Sequence, residues 1–173
     1  MSLSLITDRT QIDVNRVNSI VGKYTASGWE SLTLSEQSAF KAGLKGSYNY
    51  TDLNRVENAV ATLAEALTGI GYSVTVTTKT DWTQADVQAL TTQTGMENIE
   101  RYRSNISSIR AVLTVYSTTP AVPSSMDKLT FISANDIEQI LLDVEQLIYN
   151  ISHTVNLGWA LGIADIGLYG GLA

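Results

Sequence analysis

The sequence predicts a mainly α protein: a four-helix-type bundle with one or two short strands and a glycine-rich apolar C-terminal segment. Three observations carry this. Thr51–Thr68 places Leu53, Val56, Val60, Leu63 and Leu67 at steps of three and four, one stripe of a helix with about 3.6 residues per turn. Ile137, Ile140, Leu141, Val144, Leu147, Ile148 and Ile151 form a second, wider stripe. A short pattern also recurs: Asp13-Val-Asn-Arg-Val17 and Asp52-Leu-Asn-Arg-Val56 match at four of five positions. Asn98-Ile-Glu-Arg-Tyr102 and Asp136-Ile-Glu-Gln-Ile140 are looser versions, and the four starts lie 39, 46 and 38 residues apart. Either a helical unit was duplicated, or each helix meets one demand, an acid or amide at its amino end and an amide/cation pair facing out. Both readings leave four principal helices.

Taken in order, Thr7–Tyr24 reads as the first helix, with Thr10 and Asp13 as a capping-box-like start and Gly22 as its stop. Ser31–Gly46 is a shorter helix opened by Thr33 and Glu36, with Phe40 and Leu44 pointing inward. A tight connector, Gly46–Tyr50, precedes the central helix, for which Thr51 is the N-cap and Gly69 and Gly71 the stop signals. Tyr72, Val74 and Val76 then alternate with Ser73, Thr75 and Thr77, the period of a half-buried strand. Thr83 and Asp86 restart helical patterning. Thr94 and Glu97 open a long helix to about Val115, with Ile99, Tyr102, Ile106, Ile109 and Leu113 inward. Pro120 and Pro123 mark Ser117–Lys128 as a loop, and Ser133 with Asp136 caps the last helix.

The chain's 173 residues suffice for one cored domain, read as a bundle over residues 1–156 with an assembly segment over 157–173. Hydrophobic content of 44% against 16% charge is too apolar for disorder. Eleven basic residues face 17 acids, a net charge of −6, which argues against nucleic acid and anionic lipid as partners. The chain has no cysteine, so disulfides and thiolate chemistry are excluded. Its start has no basic region followed by a long apolar run, so no secretory signal is expected, and no membrane insertion either.

Catalytic, cofactor and metal residues are all read as none. His153 is the only histidine, too few for an imidazole metal site, and it is read as structural, near a helix C-terminus. No G-x-S-x-G is present, Gly167–Gly171 follows no strand-to-helix phosphate pattern, and Glu97/Glu100 and Asp143/Glu145 sit among polar neighbours. The chain is expected not to be an enzyme. Recognition is the remaining possibility. Trp29, Trp82 and Trp159, with Tyr48, Tyr50 and Tyr72, lie near loops or segment ends, where aromatics either bind sugars and proteins or cap a core. Trp29, Trp82 and Tyr50 are the ligand-binding candidates. In the tail, Trp159, Leu161 and Ile163 alternate with Ala160, Gly162 and Ala164, the pattern of a strand with one bulky face. It either pairs with Tyr72–Thr78 in the same chain or adds to a neighbouring subunit. Trp159, Leu161, Ile163, Leu168 and Tyr169 are the interface candidates.

The stretch AGLKGSYNYTDLNRVENAVATLAEAL resembles a module of tail-region structural proteins from tailed bacteriophages and prophages of Gram-positive bacteria. So do TDRTQIDVNRV, TKTDWT and PAVPSSMDKLTFISANDIEQILLDVEQLI, in the same order over most of residues 7–148. The resemblance implies a non-enzymatic virion component of the baseplate or fibre region, made in the host cytoplasm. It implies a homo-oligomer with other phage tail proteins as partners. A receptor- or carbohydrate-binding module of the tail tip, facing a bacterial surface receptor, is the alternative.

Overall fold

The helices begin where a side chain can satisfy the first free N–H groups. In the computed structural model, which describes residues 2–127 and 129–160 with side chains to 154, six α-helices follow this rule. Thr10, Thr33, Asn49 and Thr83 cap α1 (Gln11–Ser27), α2 (Leu34–Ala42), α3 (Tyr50–Gly69) and α4 (Gln84–Gln88). Each closes a capping box with an acid three residues on: Asp13, Glu36, Asp52 and Asp86. Thr92 caps α5 (Gln93–Val112). Before α6 (Phe131–Ala160), the Thr130 hydroxyl accepts from the Ser133 N–H at 3.1 Å.

Several expected boundaries move. The first helix passes through Gly22 and stops at Gly28, whose φ of 76° suits a residue without a Cβ. Asn49 caps the central helix in place of Thr51, because its amide oxygen reaches the Thr51 N–H at 2.8 Å. The caps of α5 and α6 lie two and three residues before the expected Thr94 and Ser133, at Thr92 and Thr130.

The core is closed by three helices rather than four. Leu53, Val56, Val60, Leu63 and Leu67 of α3 meet Tyr102, Ile106 and Ile109 of α5 and the α6 stripe Ile137, Ile140, Leu141, Val144 and Ile148. Nothing from α1 or α2 enters that cluster. They form a satellite, with Ile20 and Leu32 buried and Phe40 packed on Tyr24 and Trp29.

The three core helices run the same way. Near the start of α3, Arg55 meets Glu138, close to the start of α6; near its end, Ala66 lines a pocket with Ile148 and Tyr149. Leu53 shares a pocket wall with Ile99 of α5, and four residues on Glu57 pairs with Arg101 at 2.7 Å and takes a hydrogen bond from Asn105 at 3.3 Å. Parallel helices of 20 residues need returns spanning about 30 Å, roughly nine extended residues. Residues 70–83 and 113–130 supply them, and residues 2–10 lie along α6 in the same antiparallel sense.

No strand occurs among the described residues, yet the alternation holds from Ser73 to Thr77; Tyr72, expected on the covered face, is exposed. Val74 and Val76 are half-buried on the core while Ser73, Thr75 and Thr77 are exposed. What is missing is a second strand, because helix side chains take its place. Asn105 accepts from the Thr77 N–H at 3.2 Å and donates to its carbonyl at 2.8 Å. Asn54 does the same for Trp82 at 2.7 and 2.9 Å, and Asn135 for Arg9 at 3.1 and 2.9 Å. A primary amide carries one acceptor and a donor group side by side, so it can satisfy one extended residue as a ladder would.

The strand expected from Trp159 is also revised at its start. Trp159 and Ala160 are the last residues of α6, whereas Leu161, Ile163, Leu168 and Tyr169 lie outside the described residues.

Candidate functional site

Two places gather chemistry-bearing residues: a buried ionic cluster and an open apolar groove. The cluster forms where the segment before α1 crosses the starts of α3 and α6. Arg9, extended along α6 and held by Asn135, directs one guanidinium nitrogen to Asp52 at 2.8 Å and Glu138 at 2.6 Å. Another nitrogen donates to the Ile6 carbonyl at 2.6 Å. Arg55 donates to Asp52 and reaches Glu138 at 2.7 and 3.0 Å. The Ile6 N–H completes Glu138 at 2.6 Å.

Two cations thus face two carboxylates, all but Arg55 nearly sealed from solvent, with Glu138 at 0% exposure. Beside them Tyr48 and Tyr102 share a hydroxyl hydrogen bond of 2.5 Å, and Arg9 lies 5.4 Å from the Tyr48 ring centre. Burial pushes both phenols above their ordinary range, so they stay protonated. Both Glu138 oxygens already accept from Arg9, Arg55 or Ile6, and both Asp52 oxygens from Arg9, Arg55 or Asn49. The chemistry such an arrangement performs is adhesion. It ties an extended segment to two helices, and Glu145 continues the tie by accepting from the Leu3 N–H at 3.0 and 3.2 Å.

The groove opens between the α1–α2 satellite and the beginning of α3. Its volume is about 300 Å³, and Val17, Val21, Phe40, Leu44 and Val87 make its apolar wall. Next to it the chain is close-packed: a Cβ on Gly46 would lie 2.3 Å from the Asp13 backbone, so only glycine lets this turn press on α1. Phe40, expected inside, is 40% exposed on this face and meets Trp29 edge-on at 5.9 Å.

No protein-family model, curated protein or solved structure matches this chain.

The aromatic candidates therefore rest on geometry, and they separate. Tyr50 lines the groove and is 37% exposed. Trp29 is half-buried behind Phe40, with the Lys41 ammonium 5.4 Å from its ring centre. Trp82 is 3% exposed within the core cluster, so it is no surface for a ligand; Asn54 holds its backbone while the core takes its ring. Trp159 belongs to α6 by its backbone alone, its side chain lying outside the description.

The carboxylate pairs and the histidine are occupied too. Glu100 pairs with Arg103, Glu97 accepts from Gln93 at 2.8 Å, and Asp143 accepts from Thr119 and Gln139 at 2.6 and 2.7 Å. His153 stacks on Tyr149 with centres 3.7 Å apart. Because α6 continues to Ala160, the helix-end argument for His153 falls. Among the described residues no group of acids and histidine could hold a metal, and no helix is long and apolar enough to cross a membrane.

Sequence reasoning missed Arg9, Glu138 and the groove. Arg9 and Glu138 carry no local signal, since each is an ordinary surface-type residue until the other arrives. The groove had one: Val21 and Phe40 are apolar at positions that a two-helix satellite cannot enclose.

Proposed function

We propose that this chain is a non-enzymatic structural or adaptor protein of a phage tail, in the baseplate or fibre region. It assembles with copies of itself and with neighbouring tail proteins, and acts in the virion. The resemblance of residues 42–67 and 120–148 to tail-region proteins supplies the family of this reading. The single observation that carries the non-enzymatic part is the Arg9–Asp52–Arg55–Glu138 cluster. Its two buried carboxylates are held by two arginines and by the Ile6 and Asn49 N–H groups, so their oxygens are engaged in tying the chain together. Assembly through residues 161–173 follows from their composition, which is apolar apart from Asp165.

Removing residues 161–173 tests it, since the deletion spares α6. Helical circular dichroism should persist while the mass by light scattering falls to that of one chain. An unchanged mass overturns assembly through this segment. The alternative, a receptor- or carbohydrate-binding module, draws on Tyr50 at the groove. Specific retention on a glycan array, abolished by Tyr50→Ala, would replace the adaptor reading with it.

A further inference from the structure

The parallel course of α3 and α6 puts two unlike features at opposite ends of the molecule. At one end lies the groove beside Asn49, Tyr50 and Thr51, the first residues of α3. Glu138 stands at that end too, bridged to Asp52 through Arg9. From Glu138, α6 runs on to Ala160, about 33 Å along the axis, so the chain leaves α6 at the other end.

We propose that the groove receives residues 161–173 of a second copy, in a head-to-tail contact. This rests on the reading of the chain as an assembly part and names the surface that such assembly uses. The segment brings Leu161, Ile163, Ile166, Leu168, Tyr169 and Leu172, and its only charge is Asp165. The groove sets Val17, Val21, Phe40, Leu44 and Val87 beside the polar Ser47, Asn49, Thr51 and Gln84, and its only charged lining residue is Lys41, of opposite sign. Its own segment is poorly placed to fill it. Turning back along the core takes roughly ten extended residues of the thirteen, leaving few to occupy the groove. A second copy stacked end-on meets the groove with all of them. Such a contact is heterologous, and it closes into a ring or extends as a filament according to its rotation.

Light scattering on the full chain and two variants tests this. Val21→Asp places a charge on the groove wall at a residue 41% exposed, where the fold tolerates it. The deletion of 161–173 leaves the groove and removes the occupant. Each variant alone should run as one chain, and an equimolar mixture should form a one-to-one pair, because one intact groove and one intact segment remain. Lys41→Glu should weaken assembly about two- to fivefold, and Asp165→Lys in the same chain should restore it. If the deletion lowers the mass while Val21→Asp assembles like the parent, the segment docks elsewhere: the groove assignment fails and the adaptor reading stands. If the mixture stays at single-chain mass, the groove assignment fails as well. If neither variant changes an assembled mass, both readings fall.

Discussion

Asp13-Val-Asn-Arg-Val17 and Asp52-Leu-Asn-Arg-Val56 enter α1 and α3 in the same register, the aspartate at the third helical position of each. Asp13 accepts from the Thr10 N–H at 2.8 Å and Asp52 from the Asn49 N–H at 2.9 Å. There the likeness ends. Asn15 accepts from Gln11 at 3.0 Å on an exposed face, and Arg16 is exposed. Asn54 clamps Trp82 and Arg55 joins the buried cluster. Val17 is half-buried at the groove, while Val56 is sealed in the core. Local chemistry sets the cap in both copies. What the next three side chains do is decided by whether Arg9, Trp82 and α6 stand opposite them.

Substituting the two arginines should separate the copies most widely. Arg55→Ala leaves Asp52 and Glu138 sharing Arg9 alone in a sealed site, and should cost about 3–5 kcal/mol in urea unfolding. Arg16→Ala should stay within about 0.5 kcal/mol. Equal losses would mean that the cluster contributes no more than a surface charge.

The asparagines should show a smaller gap. Asn54→Ala removes both partners of the Trp82 backbone and should cost about 2 kcal/mol, with faster hydrogen exchange at the Trp82 amide. Asn15→Ala should be near neutral, within about 0.5 kcal/mol. An unchanged exchange rate in Asn54→Ala would show that the core alone holds residues 72–82.

The smallest effect belongs to the satellite. The Lys23 ammonium, 2.5 Å away, and the Thr33 N–H hold Glu36 well below the usual carboxylate range, at about 2 against 4.5. A depressed carboxylate stabilises the fold above about 4.5 and loses that contribution as pH falls toward about 2. Glu36→Gln should therefore lower stability slightly at neutral pH, and the gap from the parent should close across that window. A gap independent of pH would assign the effect to packing. The Lys23 end of the pair is 48% exposed, so added salt should shrink the gap too.

Much of the fold was legible because capping and amphipathic stripes are local. Thr10 with Asp13, Thr33 with Glu36 and Thr83 with Asp86 all form the boxes their spacing announced. All five stripe residues of α3 are buried. The tyrosine-to-threonine stretch alternates as read from Ser73 to Thr77, though Tyr72, expected on the covered face, is 40% exposed. Alternation describes which side chains are wet and is silent about what satisfies the backbone. Asn105 could not be matched to Thr77 from their separation in sequence. For the same reason Trp82 and Trp29 looked alike, and only one is beneath the core.

By itself, then, the chain determined its principal helices, the capped beginnings at Thr10, Thr33 and Thr83, and the greasy faces of α3, α5 and α6, since those depend on residues three or four apart. The tertiary structure alone decided that three helices run parallel, that extended returns are stitched by asparagines, and that Arg9 seals two acids. Those outcomes depend on partners tens of residues away, and a carboxylate or an amide carries no mark of whether water or a guanidinium will face it until the chain has closed.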